Sequence, residues 1–458
     1  MHVPFIGAPR AVLSAPLRAR SSRLSPFAVA MITFVCALFA PLAVAVQPES
    51  STPLTLTEAL AVAERRSRAL PAQDHAAAAA RDLAVAAGRL PDPTLRLSAD
   101  NVPVDGPMRY SLSEDFMTMR SIGITQTLTG RDKRLARSAR FEREADAAYG
   151  SRVFALASLR QATAVAWFER QLAQQRVDLL VRQKAEAQLQ VDAAEAAYRA
   201  GRGAQADVFL ARSAVARIED AAALARAGVE AAMARLERWV GADAARPVDA
   251  TDLRHLRLDP QRLAQSVEAY PEIALLAARE ETARAEAEIA RQERNADWSV
   301  SLMYSQRGSA FSDMVSVGVS IPLQWDRGNR QDRVLSARLS QAEQLRAERE
   351  EAAREASARV RVDIANWRAN MERLAQYDTA LVPLARERTD AALAAYRGGK
   401  ATLAAVLEAR AAQVRTQLER LDIEFATARL WSGLAYLLPD DAAYGAMTSD
   451  VPLQEVAR

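Results

Sequence analysis

The sequence predicts a mainly α-helical chain with a small β part, arranged as two tandem structural repeats, and three observations carry that prediction. The first is a period of 198 residues. Ala197-Tyr198-Arg199-Ala200-Gly201-Arg202 returns as Ala395-Tyr396-Arg397-Gly398-Gly399-Lys400, and 8 of the 16 positions from Ala197 to Arg212 match Ala395 to Arg410. The second is that the same offset pairs Gly130 with Gly328. Each of these glycines ends an alternating apolar run and opens 67 residues of helical pattern. Such a helix is about 100 Å long at 1.5 Å per residue, a length that suits a tube or a strut and not a compact globule. The third is composition: 50% of the residues are apolar but only 6% aromatic, with alanine dominant. Thin helix-forming side chains favour long helices at close approach.

Taken in order, residues 1–45 read as a secretory signal. Arg10, Arg18, Arg20 and Arg23 form a basic region, Phe27 to Ala40 is apolar, and Ala43-Val44-Ala45 fits the small-x-small cleavage rule. An uncleaved anchor is the alternative, and Pro41 with the Ala-x-Ala site favours cleavage. The first repeat is expected over 46–245. It opens with a helix from Leu54-Thr55-Leu56-Thr57-Glu58-Ala59-Leu60, with Thr55 or Thr57 as cap, running to about Leu90 with a kink at Pro71. Pro91-Asp92-Pro93 stops it. A strand pair follows at 93–102 and 117–128, where Leu95 and Leu97, then Ile122, Ile124 and Leu128, alternate with small or polar residues. A long helical hairpin over 131–240 has no proline in it, because none occurs between Pro107 and Pro247. A loop-rich connector spans 246–262.

The second repeat, 263–438, has a helix, a strand pair at 297–306 and 314–323, and a hairpin over 330–437 with a kink expected at Pro383. Val315, Val317, Val319 and Ile321 alternate with Ser316, Gly318 and Ser320, so one face is β-branched and the other tiny and polar. Residues 439–458 are read as an irregular tail.

Net charge is only +3, with 60 basic and 57 acidic residues interleaved and no basic block, which excludes an electrostatic case for nucleic acid. Cys36, the only cysteine, lies in the apolar leader, so the mature chain has neither disulfides nor thiolate metal sites. A strand with one apolar and one small polar face suits a wall between lipid and water, although a soluble sheet packed on a helix alternates in the same way. Ser, Gly and Thr on the polar face, together with export, favour the membrane. Four strands cannot close a barrel, whose smallest size is about eight strands, and an open edge is forbidden in lipid. Two chains would give eight strands and three would give twelve.

The order of these signals resembles the TolC family of bacterial outer-membrane efflux proteins over about residues 54–438. The carriers are the LTLTEAL helix, the strand pair, the glycine, the long helix, the Tyr-Arg-x-Gly turn with Asp-Val or Ala-Val and then Ala-Arg, the returning helix, and all of it again. Met117-Thr118-Met119-Arg120-Ser121-Ile122-Gly123-Ile124-Thr125-Gln126 is similar to the heavy-metal-efflux branch. The resemblance implies a homotrimer with a shared transmembrane β-barrel of four strands per chain. A long-helix α-barrel would extend it into the periplasm from the bacterial outer membrane and its lipid. It implies two partners, a periplasmic membrane-fusion adaptor and an inner-membrane pump of the resistance-nodulation-division type. It also places the hairpin turns at a periplasmic tip whose closed state is held by links between neighbouring hairpins. Tyr198, Gly201 and Asp207 in the first repeat, and Tyr396, Gly399, Lys400 and Glu408 in the second, are then the tip and gate residues. Asp207 and Tyr396 would form the link and Glu408 would face the lumen. Ala401 stands where the family has a tip arginine, and Ala405 replaces one of two luminal carboxylates. Asp207 as a helix-start charge and the tyrosines as packing rings are the plainer readings.

No catalytic constellation is present: His2, His75 and His255 are the only histidines, and no metal-binding or nucleophile motif occurs. No cofactor is expected, and the chain reads as a non-enzyme. Met108, Met117, Met119, Met303 and Met314 gather near the strands, where thioethers suit soft ions but serve more often as apolar filler. The functional expectation is a passive exit duct exporting small solutes or metal ions. A type I protein secretion duct, or a periplasmic coiled-coil scaffold without a barrel, is the alternative.

Overall fold

The computed structural model describes residues 52–249, 251, 253 and 258–439. The expected signal, Cys36, His2, His255, part of the connector and nearly all of the expected tail lie outside them. Helix α1 (Leu56–Arg66) begins where the Thr55 side chain accepts the Glu58 N–H at 3.1 Å. The single kinked helix expected here is two helices. α1 ends at Ser67, and α2 (Ala69–Ala87) restarts at once. Pro71 lies in the first turn of α2, where its missing N–H would have had no helical partner.

Strands β1 (Thr94–Asp100) and β2 (Met119–Leu128) precede α3, which runs unbroken from Arg131 to Arg199. Its 69 residues extend about 100 Å. α4 (Gln205–Val240) returns along it. After the short α5 (Pro260–Gln265), α6 (Pro271–Gln292), β3 (Trp298–Gln306) and β4 (Met314–Ser320) lead to α7 (Gln331–Gln376). A π-helical turn, Tyr377–Leu381, separates α7 from α8 (Val382–Arg397), and α9 (Leu403–Ala435) returns. The extra residue of the π turn falls just ahead of Pro383. A π turn loosens the ladder where a proline ring removes a donor and crowds the preceding turn.

The repeats meet at several levels along the helices, and two of these set the frame of the molecule. One is the sheet, a four-stranded antiparallel meander in the order β1-β2-β3-β4, in which β2 and β3 pair across the repeats from Arg120↔Gln306 to Leu128↔Trp298. The other is a belt midway along the helices. There Trp167, Phe168, Leu236 and Val240 pack with Leu54, Val62, Ala428 and Trp431. Leu54 forms a parallel bridge with Val248, and the Trp167 indole N–H donates to the Leu54 carbonyl at 3.1 Å. Arg246 clamps the same corner by donating to Glu58 at 2.7 Å and to the Thr52 carbonyl. That bond holds the Glu58 carboxyl below its ordinary range and raises the Arg246 guanidinium. A second belt, of Leu263, Tyr270, Ile273, Val360, Ile364 and Leu434, covers the other repeat. Burial pushes the Tyr270 phenol up, and its O–H donates to the Leu263 carbonyl at 2.5 Å. No described helix is long and apolar enough to cross a membrane.

Candidate functional site: the exposed sheet and the hairpin tips

The register of the sheet sorts its side chains by face. Leu97, Ile122, Tyr304 and Val315 stand in one row, and Leu95, Ile124, Leu302 and Val317 in the next. Val300 and Val319 continue the series, with Trp298 opposite Leu128. Every one of these residues is at least about one third exposed, and Val317 reaches 72%. An apolar face spanning all four strands and left open is far more than the scattered apolar surface of an ordinary monomer. β2 has 10 residues and β3 has 9, close to the roughly 9–11 that a tilted strand needs to cross hydrocarbon.

The opposite face carries Thr94, Arg96, Ser98, Ser121, Gly123, Thr125, Ser299, Ser301 and Ser316. Its hydroxyls are joined: Ser121 and Ser305 lie 2.9 Å apart, and Ser98 and Ser121 both donate to Asp100. Among the described residues β1 and β4 each have one neighbour, so two edges of the sheet are unpaired there. Ile321, expected on the lipid-facing strand with Val315, Val317 and Val319, lies outside it. The ladder ends at Ser299↔Ser320, and Pro322 cannot extend it. Met303 sits on the polar face between Gly123 and Ser316, and Met108 and Met117 are exposed in the β1–β2 loop. Among the described residues no group of three His, Cys, Asp or Glu could hold a metal ion.

At the far end of the helices, the two turns stop their helices in the same way. Arg202 N–H donates to the Ala197 carbonyl at 2.9 Å and Gly201 N–H to the Tyr198 carbonyl at 2.9 Å. Lys400 to Ala395 at 2.8 Å and Gly399 to Tyr396 at 3.0 Å repeat the pattern. Gly201 and Gly399 both have φ +70°. This is the six-to-one, five-to-two closure of a helix C-terminus, which requires a left-handed residue and so selects glycine.

Asp207, expected in a gate link, accepts the Ala204 N–H at 3.3 Å, an acidic residue reaching back to the start of its own helix. Within the chain it does not meet Tyr396. The Tyr396 ring packs against a cluster of Ala187, Val191, Ala194, Val208, Ala211, Val215 and Leu403, which holds the two hairpins side by side. Tyr198 is 47% exposed. Glu408 is exposed and faces the Arg388 guanidinium at 3.8 Å, and Lys400 is exposed at the turn.

Several polar clusters gave no advance sign. Arg420 donates to Asp378, in the π turn, at 2.5 Å and to Glu424 at 2.7 Å. Burial opposes its charge, but the two carboxylates outweigh it, and the guanidinium is raised. Arg410 pairs with Glu186 between the hairpins. Glu280, almost fully buried, is held by Arg284 and by Arg349 at 2.9 Å. Lys133 donates to Asp297 at 2.8 Å and to the Asn295 carbonyl at 2.9 Å, tying the start of α3 to the start of β3. A spacing rule finds the i,i+4 pairs Arg284–Glu280 and Arg420–Glu424 but none of the links to Asp378, Glu186, Arg349 or Asp297, which join residues far apart in the chain.

No family model and no curated protein matches the chain. Solved structures do. The outer-membrane channel OprN superposes with a TM-score of 0.71 at 20% identity, covering 84% of this chain and 89% of that one. The outer membrane protein VceC from Vibrio cholerae gives 0.70 at 19% identity, covering 84% and 96%. CusC gives 0.68 at 15% identity, covering 83% and 91%, and singles out no branch. The exposed four-strand sheet on a long-helix body is thus the fold of outer-membrane channels, the fold that the TolC-family resemblance implies.

Proposed function

We propose that the chain is one subunit of a homotrimeric outer-membrane channel, the passive exit duct of a tripartite efflux system. The observation that carries this reading is the sheet: one continuous exposed apolar face, one hydroxyl-rich face, and two unpaired edges. Unpaired backbone groups are intolerable in hydrocarbon, so the edges must pair with other chains, β4 of one subunit against β1 of the next. Three subunits supply twelve strands. The apolar face then meets lipid and the serine face lines the water-filled lumen. The helical hairpins continue the wall into the periplasm, where a membrane-fusion adaptor and an inner-membrane pump would deliver small solutes or metal ions. In this reading the energy source is the pump and the duct is passive. An adaptor or scaffold without a barrel has no use for an open apolar sheet.

The gate is read at the tips, between subunits. Asp207 of one subunit would exchange its local N–H for the Tyr396 hydroxyl of the next, a charge-assisted bond. Arg388 beside Glu408 offsets much of the field of a luminal carboxylate ring, so Glu408→Gln should shift cation preference only modestly. The test is single-channel recording in planar bilayers. Wild type should conduct poorly, and Asp207→Ala with Tyr396→Phe should raise conductance with the oligomer intact. Unchanged conductance in the double variant leaves Asp207 as a helix-start residue and Tyr396 as a packing ring. A protein that inserts no channels at all contradicts the duct.

A further inference from the structure

The apolar alternation of β4 outlasts the strand. Ile321, Leu323 and Trp325 occupy every second position beyond Val319, and all three are exposed, Trp325 at 88%. Trp298, at the same end of the sheet, is 53% exposed. Immediately beyond Trp325 come Arg327, Arg330 and Arg333, all exposed.

None of these arginines has a carboxylate partner among the described residues, and the nearby acids are engaged elsewhere. Asp326 accepts the Asn329 side-chain amide at 3.0 Å and its N–H at 3.3 Å, and Asp332 pairs with Arg294 at 3.0 Å. The equivalent junction of the first repeat behaves differently. There one arginine, Arg131, is likewise exposed, but Lys133 is spent on Asp297 and Arg134 on the Thr129 and Gly88 carbonyls, so among the described residues the first junction presents one free cation where the second presents three. Folding does not account for the second set. Cations at the start of α7 oppose the helix dipole, and an indole in water has nothing to gain from exposure. Tryptophan beside arginine at the rim of an apolar wall is the chemistry of a bilayer interface, where the ring sits at headgroup level and the guanidinium meets phosphate.

We propose that residues 321–333 form a docking surface for anionic phospholipid of the periplasmic-side leaflet, with Trp325 at the hydrocarbon boundary and Arg327, Arg330 and Arg333 on lipid phosphate. This rests on the channel reading, since it needs the sheet in a membrane. It assigns the second repeat, and not the first, as the lipid-anchored side of each subunit.

The probe is a vesicle of equal phosphatidylglycerol and phosphatidylethanolamine, from which the trimer is extracted and its retained lipids weighed by native mass spectrometry. Wild type should retain phosphatidylglycerol preferentially. Arg327→Gln/Arg330→Gln/Arg333→Gln should lose at least roughly ten-fold of that preference, at about five-fold per arginine at an anionic surface. In Trp325→Ala, quenching of tryptophan fluorescence by phospholipid brominated near the headgroup should fall. Equal retention by wild type and triple variant overturns the proposal. So does loss of the trimer in the triple variant, which would make the arginines subunit contacts. Displacement of the lipid by millimolar inorganic phosphate also overturns it, leaving a plain anion site. Flotation separates the two readings. Wild type that fails to float with phosphatidylethanolamine vesicles sinks the membrane reading itself. Wild type that floats but shows no preference sinks only the lipid surface.

Discussion

In the first repeat the long helix runs from Arg131 to Arg199 without a break, and the strand just before it, β2, has neighbours on both sides. In the second repeat the long helix is split by the π turn Tyr377–Leu381, and the equivalent strand β4 is an edge. Yet both repeats end their outgoing helix with the same turn, down to the φ of +70° at Gly201 and Gly399. Duplication preserved the parts that each repeat needs for itself, the helix stop and the alternating strand. The parts that differ are those used between repeats or between chains. β2 closes the seam inside the chain, so β4 must find its partner outside it. Only the second long helix has the half-buried Arg420 beside its π turn.

Each part of that comparison can be broken. The largest effect is expected on β4. Val317→Arg places a charge on the exposed apolar face and should cost about 2–4 kcal/mol of assembled-barrel stability in lipid. Ser316→Arg, one residue away on the hydroxyl face, should be nearly silent; unfolding of the trimer by heat or urea in vesicles compares them. Equal losses would mean that the two faces are not lipid and lumen.

A smaller effect is expected at the π turn. Arg420→Met removes the cation shared by Asp378 and Glu424 and should cost about 1–3 kcal/mol, less than a fully buried pair because the site is half open. Arg212→Met, which breaks the exposed pair with Glu195 in the first hairpin, should stay within about 0.5 kcal/mol. Denaturation of the two variants side by side reads the difference. If they match, the break in the second helix is not held by Arg420.

The smallest effect tests what the repeats share. Nothing crowds either Gly201 or Gly399, so alanine there meets only the left-handed backbone. Each substitution should cost roughly 1 kcal/mol, and the two should be equal. Unequal costs would show that one of the turns carries a further contact.

The helix stops and the strand faces are legible in the sequence because each depends on local chemistry. A Tyr-Arg-x-Gly stop needs only its own six residues, and Val315, Val317 and Val319 declare a face by alternation alone. The break between α1 and α2 is not legible. Pro71 draws attention, but the chain breaks at Ser67, whose N–H closes α1 onto the Ala63 and Glu64 carbonyls. Ile321 falls outside the strand for a related reason: alternation continues past the point at which Pro322 ends the ladder. The tip is legible as geometry but not as a gate. Asp207 fits a helix start and an intersubunit bond equally well as a sequence feature, and inside one chain the Ala204 N–H takes it. The Arg420, Arg410 and Lys133 clusters join distant residues, and nothing in the local pattern marks one arginine among many.

The central claim is that the unpaired edges of the sheet meet across subunits. The direct measurement is disulfide cross-linking of cysteine pairs, one placed at Leu95 or Leu97 on β1 and the other at Val315, Val317 or Val319 on β4. The mature chain is expected to lack other cysteines. At least one pair should give, on oxidation in native outer membrane, a covalent ladder that ends at the trimer and survives denaturing electrophoresis. If every pair remains monomeric while the protein is folded, the two edges do not meet and the shared barrel is wrong.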